Sequence, residues 1–100
     1  MALSTDGIAL RLNDSDNVAV CLRRVAAGRP IAFEDGLAVT AVREIPPGHK
    51  IALRAIAKGE PVIKYGQTMG RASEAIAAGE HAHVQNIEGI RGRGDLAGVS

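Results

Sequence analysis

His81, His83 and Gln85 occupy alternate positions near the C-terminal end of a 100-residue chain. On a strand, alternate side chains share a face about 6.6 Å apart. Two imidazoles and an amide so placed can converge on one ion or one substrate. Neutral imidazole is the commonest transition-metal ligand and the natural general acid or base near neutral pH. The same spacing also fits an exposed strand face carrying two solvated histidines. His49-Lys50 directly follows Pro46-Pro47-Gly48. A rigid turn holds such side chains for binding at reduced entropic cost, and a polar loop edge has the same composition. Lys64-Tyr65-Gly66 sets the only Tyr beside a cation. Lys64 can meet a carboxylate as a compact point charge, and Gly66 permits close backbone approach. Alternatively, Tyr65 is the largest core residue of an aromatic-poor domain. Asp16-Asn17 favours an Asx turn over a polar pair turned toward a ligand. Cys21 lies in an apolar run, which points to a buried and inert thiol. Arg91 and Arg93 lack the aromatic interleaving that single-stranded nucleic acid requires.

These residues need elements to hold them. An aliphatic residue, a Gly three positions on and an apolar residue three further on recur four times. The copies are Val25, Gly28, Ile31; Ile45, Gly48, Ile51; Ile56, Gly59, Val62; and Ile76, Gly79, Ala82. Each copy reads as strand end, tight turn and strand start. Pro46 sets φ at a turn corner and cannot belong to a central strand. Turns roughly every 10–20 residues, with short alternating runs between them, predict a compact all-β domain.

Strands are expected at Gly7–Leu12, Val18–Leu22, Leu37–Arg43, His49–Leu53, Pro61–Tyr65 and Glu80–Gln85. Two segments also carry helical signals. Val18, Leu22 and Val25 fit helical spacing, with Asp14, Ser15 and Asp16 as N-caps and Gly28 at C′. Arg71–Ala78 is Ala-rich and ends at Gly79. The β-branched residues of the first segment, and the turn repeat that closes both, favour strand. Ile87–Ser100 holds four Gly in 14 residues and reads as a flexible tail or docking arm. The expected organisation is one domain over 1–86 and a tail over 87–100.

Composition narrows the function classes. A chain of 100 residues fits one small domain, able to bury roughly 64% of its surface. A lone Cys excludes a disulfide scaffold and a Cys-rich zinc site, and it suits a reducing cytoplasm. A net charge of +1 and two aromatics argue against a nucleic-acid partner. The apolar runs are too short for a membrane helix, and the first residues lack a basic leader before an apolar stretch. No Ser-His-Asp arrangement, phosphate-binding Gly loop or dinucleotide fingerprint is present. The polar groups are too few to enclose a whole active site, so the chain looks like a module that contributes to one.

Five motifs in order carry a resemblance. They are Asp16-Asn17-Val18-Ala19-Val20, Gly48-His49-Lys50-Ile51-Ala52-Leu53, Ile63-Lys64-Tyr65-Gly66, Met69-Gly70-Arg71-Ala72 and Gly79-Glu80-His81-Ala82-His83-Val84-Gln85-Asn86. From about Gly7 to Asn86 the chain resembles the SAF (β-clip) domain at the N-terminus of altronate and galactarate dehydratases. The same domain is the free-standing small subunit of related lyases such as sulfolactate sulfo-lyase. The resemblance implies a β-clip fold with little helix, which resolves both ambiguous segments as strand and turn.

It further implies β-elimination from a 2-hydroxy sugar acid such as altronate, giving a 2-keto-3-deoxy acid. A divalent metal, Fe2+ or Mn2+, is expected, held mainly by a large dehydratase subunit without which this chain is inactive. By resemblance His83 is the first candidate for acid or base and His49 the second, with His83 and His81 as metal ligands. Lys50, Lys64, Tyr65, Asn86 and Asn17 are expected at the substrate. Self-association stays open. So do two alternatives: the small subunit of sulfolactate sulfo-lyase, and a non-catalytic SAF binding module. One departure stands out. The family commonly has His-x-His-Asn where this chain has His83-Val84-Gln85-Asn86. Gln85 exchanges hydrogen bonds but neither shuttles a proton nor ligates a metal well.

Overall fold

Four glycine turns organise the chain, and they interlock in two pairs. In the computed structural model, which describes residues 2–89, Val25 and Ile45 exchange both backbone hydrogen bonds, at 2.9 and 2.8 Å. Ile56 and Ile76 do the same at 2.8 Å. The Gly N–H three residues after each donates across the pair: Gly28 to Ala41, Gly48 to Cys21, Gly59 to Ala72 and Gly79 to Ala52. All four aliphatic residues are fully buried. The recurrence in the sequence is thus one corner used four times. The third-on Gly is demanded most strictly at Gly79, where φ is positive and a Cβ would overlap the carbonyl oxygen of Thr40.

Between the corners run β1 (Ala2–Leu3), β2 (Ala9–Arg11), β3 (Val18–Cys21), β4 (Pro30–Ala32) and β5 (Ala38–Thr40). They are followed by β6 (Lys50–Ala52), β7 (Pro61–Lys64), β8 (Gln67–Ala72), β9 (His81–Ala82) and β10 (Ile87–Glu88). An antiparallel sheet in the order β1-β2-β3-β6-β9 is flanked by β10-β8-β7 and by the β4-β5 pair. The fold is all-β, with no helix among the described residues, as the sequence implies.

The central pair β3–β6 has a core on each face. Ala19, Cys21, Ile51 and Leu53 join Val25, Ile31, Phe33 and Ile45 on one side. Val18 and Ala52 join Ile56, Val62, Ala72, Ile76 and Ala82 on the other. Burial on both faces explains why Val18–Cys21 reads as an unbroken apolar run. It also explains the helical ambiguity of that segment. Arg71–Ala78 contains the end of β8 and a corner turn, because Ile76 is committed to its reciprocal bonds with Ile56.

Three expectations are corrected. The strand expected over Glu80–Gln85 stops at Ala82. Asn86 Oδ1 accepts the His83 N–H and its Nδ2 donates to the His81 carbonyl, each at 2.9 Å, which closes residues 83–86 into a turn. Ile87–Glu88, expected to begin the tail, pairs with Ala72 and Arg71 of β8, because Ile87 packs against the second core. The remainder of the expected tail, 90–100, lies outside the described residues. Tyr65 is not a core residue: it is 37% exposed at a hairpin tip, while Phe33 is the buried aromatic.

Candidate metal and anion site

The β6–β9 register assembles the histidines. Lys50 opposes Ala82 and Ile51 opposes His81, so the next step of the ladder sets His49 across from His83. His81 follows two residues along on the same face, within diagonal reach. The three rings stack, tilted by 18–19°, with centroid separations of 3.8 Å for His49–His83, 5.0 Å for His49–His81 and 5.5 Å for His81–His83. Spacing paired His81 with His83, and the resemblance set His49 beside His83 as acid or base. The strand pairing that brings all three rings together is not written in either segment.

A hydrogen-bond chain runs through the cluster. The Gln85 amide nitrogen donates to the His81 carbonyl at 3.2 Å and meets His81 Nδ1 at 3.1 Å. A carbonyl only accepts, so the amide nitrogen must face it and Nδ1 must accept as well. Neutral His81 therefore carries its proton on Nε2, which donates to His49 Nδ1 at 2.8 Å. Gln85 thus reaches the histidines from the 83–86 turn and not from a shared strand face. His83 Nδ1 is buried and has no hydrogen-bond partner among the described residues. Burial pushes the pKa of His81 down, helped by the adjacent His49 and His83. Burial, His49 and Lys50 do the same to His83. Both imidazoles are held neutral, the form that ligates metals and accepts protons.

Lys50 lies beside them. It leaves only 9% of its surface accessible, and no carboxylate among the described residues forms an ion pair with it. Burial lowers its pKa and the charge of Lys64 lowers it further. A cleft of about 190 Å³ is lined by Lys50, Met69, His83, Val84, Ile87 and Gly89. Its walls are mostly apolar, with one ammonium and one imidazole as polar groups. That composition suits a small anion whose carbon skeleton sits on Met69 and Ile87.

The other expected residues divide. Lys64 is near enough to Lys50 to act on its charge, and its ammonium stands 5.1 Å from the centre of the Tyr65 ring. Tyr65 does not line the cleft. It occupies a tight hairpin turn with Gly66, both at positive φ (56° and 78°), as two-residue primed turns require. Asp16 holds that tip by accepting the Gly66 N–H at 2.7 Å, together with the N–H groups of Leu12 and Asn13.

Asn17 and Asn86, expected at the substrate, are both buried and occupied with backbone. Asn17 Nδ2 donates to the Pro61 carbonyl at 2.9 Å and its Oδ1 accepts the Ile63 N–H at 2.7 Å. This spans the register shift of β7 between Val62 and Ile63. Asn86 closes the turn described above. Both are structural clamps that place the site. Cys21 is buried, its thiol pushed up to about 11, and takes no part.

The all-β frame with its corner turns, and the His-Lys cleft on it, define a small module that presents a few polar groups and does not enclose a centre. Residues 8–89 match the family described as the altronate/galactarate dehydratase SAF domain, and the chain belongs to that family. It is 44% identical over 77 residues to "Altronate dehydratase" of Escherichia coli (strain K12), and 36% over 79 residues to that of Bacillus subtilis (strain 168). These matches cover 77% and 79% of this chain but 15% and 16% of those proteins. The chain therefore spans about a sixth of the length of the dehydratases it matches. It is 42% identical over 50 residues to "(2R)-sulfolactate sulfo-lyase subunit alpha" of Paracoccus pantotrophus, half of this chain and 75% of that one. No helix among the described residues is long and apolar enough to cross a membrane.

Proposed function

We propose that the chain is the SAF component, as a small subunit, of a cytoplasmic, metal-dependent hydro-lyase acting on a 2-hydroxy sugar acid such as altronate. Its partner is a large dehydratase chain. Lys50 is the observation that carries this reading: a buried cation with no ion-pair partner among the described residues, in one cleft with His83. A substrate carboxylate supplies the missing anion.

Elimination breaks the C2–H and C3–O bonds. The C2–H electron pair becomes the C2=C3 double bond, the C3 oxygen leaves with a proton as water, and the enol tautomerises to the 2-keto acid. Lys50, backed by Lys64, holds the carboxylate beside C2. His83, kept neutral by burial, accepts or returns a proton at the reacting carbons. His49 is stacked on it and is the second group able to do so. A divalent metal, Fe2+ or Mn2+, supplies charge stabilisation for the enediolate when bound. The large chain covers the open side of the cleft and excludes water.

One observation favours a second reading. The match to the sulfo-lyase alpha subunit covers 75% of that small protein. There sulfite, and not water, would leave from C3. Supplying the purified two-chain enzyme separately with sugar acids and with sulfolactate decides between them: 2-keto acid formation from the first supports the hydro-lyase, and sulfite release from the second replaces it. No turnover of either class with the partner present defeats both.

A further inference from the structure

We propose that His49, His81 and His83 together hold one divalent transition-metal ion on this chain itself, with no ligand needed from a partner. The sequence points only to His81 and His83 and assigns the ion mainly to the large subunit. The geometry adds His49 and makes the set complete enough to bind alone. Each of the three offers one ligand atom within 4.8 Å of the other two. Imidazole nitrogens sit about 2.0–2.1 Å from such an ion. Two nitrogens at right angles around it are therefore about 3.0 Å apart by that same bond length. His49 Nδ1 and His81 Nε2 already stand 2.8 Å apart.

A second, independent observation points the same way. His83 Nδ1 is buried without a partner among the described residues, and a buried polar atom left unpaired is costly enough to require an explanation. An ion reached through that nitrogen gives it a partner. Ligation through His81 Nε2 expels the proton now shared with His49. The proton leaves to solvent or moves to Nδ1, where Gln85 can meet it once its terminal amide turns over and presents oxygen. Gln85 then orients the ligand from outside, as such partners commonly do.

The donor set also selects the ion. Three imidazoles and no carboxylate suit Fe2+, Co2+, Ni2+ or Zn2+, while Mn2+ and Mg2+ prefer oxygen ligands. Three protein ligands leave positions open, as in catalytic sites. The site retains the ion's full double charge beside Lys50, so an anionic ligand is the natural fourth partner. The proposal is tested apart from the lyase reading, since ion binding to the lone chain involves neither substrate nor large subunit. It competes with the acid–base role given there to His83 and His49, because an imidazole that gives one nitrogen to the ion and carries a proton on the other accepts no further proton.

The test is titration of the purified full chain with Co2+, followed by its visible ligand-field bands, and with Zn2+ and Mn2+ by calorimetry. One Co2+ or Zn2+ per chain is expected, bound at least ~100-fold more tightly than Mn2+. His49→Ala, His81→Ala and His83→Ala are each expected to weaken Zn2+ binding by about 10- to 100-fold, with an unchanged circular dichroism spectrum. If a variant fails to fold, the wild-type chain suffices: Co2+ must shift the ring nitrogen resonances of all three histidines. Absence of stoichiometric binding, equal affinity for Mn2+ and Zn2+, or a His49 resonance untouched by Co2+ would overturn the proposal.

Discussion

His49 Nδ1 and His81 Nε2 lie 2.8 Å apart although 32 residues of chain separate them. The contact exists because β6 and β9 pair with Lys50 opposite Ala82, and that pairing is fastened by a corner turn. Gly79 donates to Ala52 at one end of the pairing, and the Ala52 N–H donates to Glu80. The cluster therefore depends on closure of the central sheet, and its chemistry is tied to the fold's most confined glycine.

Gly79 and Gly28 make a controlled comparison. Both have positive φ, but a Cβ at Gly28 meets open space while one at Gly79 runs into the Thr40 carbonyl. Gly28→Ala is expected to cost about 1 kcal/mol from backbone strain alone. Gly79→Ala adds a backbone overlap and is expected to cost more than about 3 kcal/mol. Urea unfolding of the two variants measures the difference. Equal losses would mean that the Thr40 contact is relieved by a small shift.

Lys50→Met trades binding for stability. Methionine has similar length and removes a buried charge that has no ion-pair partner among the described residues, so the free chain is expected to gain about 1 kcal/mol or more. The Lys50 pKa in the fold lies below the ordinary 10.5. The unfolded chain therefore binds more protons in the alkaline range just below that value. Wild-type stability should rise with pH there, and the rise should vanish in Lys50→Met. In the assembled enzyme the same change should raise KM for the acid with a smaller effect on kcat. A variant less stable than wild type would show that Lys50 has a structural partner.

His83→Ala in the assembled enzyme is expected to lower kcat by about 10² or more. Its backbone N–H is bonded to Asn86 and is untouched by the change, so thermal unfolding should alter little. Unchanged turnover would assign the proton transfer to the large subunit.

Asp6 provides a pH-dependent anchor away from the site. A hydrogen bond from Arg29, and then one from the Ser4 hydroxyl, bring its pKa down to about 2. Its contribution is complete above the ordinary carboxylate value of 3.8 and fades as pH falls toward about 2. The side chain is 34% exposed, so solvent screening keeps the contribution below about 1 kcal/mol. Asp6→Asn should flatten the acid limb of the stability curve between those values; an identical limb in the variant would place the effect on other carboxylates.

The corners were legible because Gly and the aliphatic residue three before it have local causes, a positive φ and a buried side chain. The five ordered motifs were legible as a family for the same reason: they mark corners, a hairpin tip and the strand beside them. The site was legible in part. His81, His83, His49 and Lys50 were named from type and spacing, yet their convergence depends on which strands pair, a long-range outcome. Asn17 and Asn86, expected at the substrate, are bonded to backbone; an amide that serves backbone is chemically the same as one that serves a ligand, so residue type did not separate the two. Gln85, noted as a lost imidazole, proves to be a contact of His81. That role appears only once the 83–86 turn brings the side chain back over the ring.

In the proposed function this chain works in an elimination together with a large partner. The most direct measurement is to recover the tagged chain from its native cells, identify what accompanies it, and assay the recovered complex for 2-keto acid formation from 2-hydroxy sugar acids. A stoichiometric large dehydratase chain, turnover that requires a divalent metal, and loss of that turnover in His83→Ala are the expected results. Recovery of the chain alone, or of a complex with no elimination activity, would contradict that function and leave a SAF module that binds without reacting.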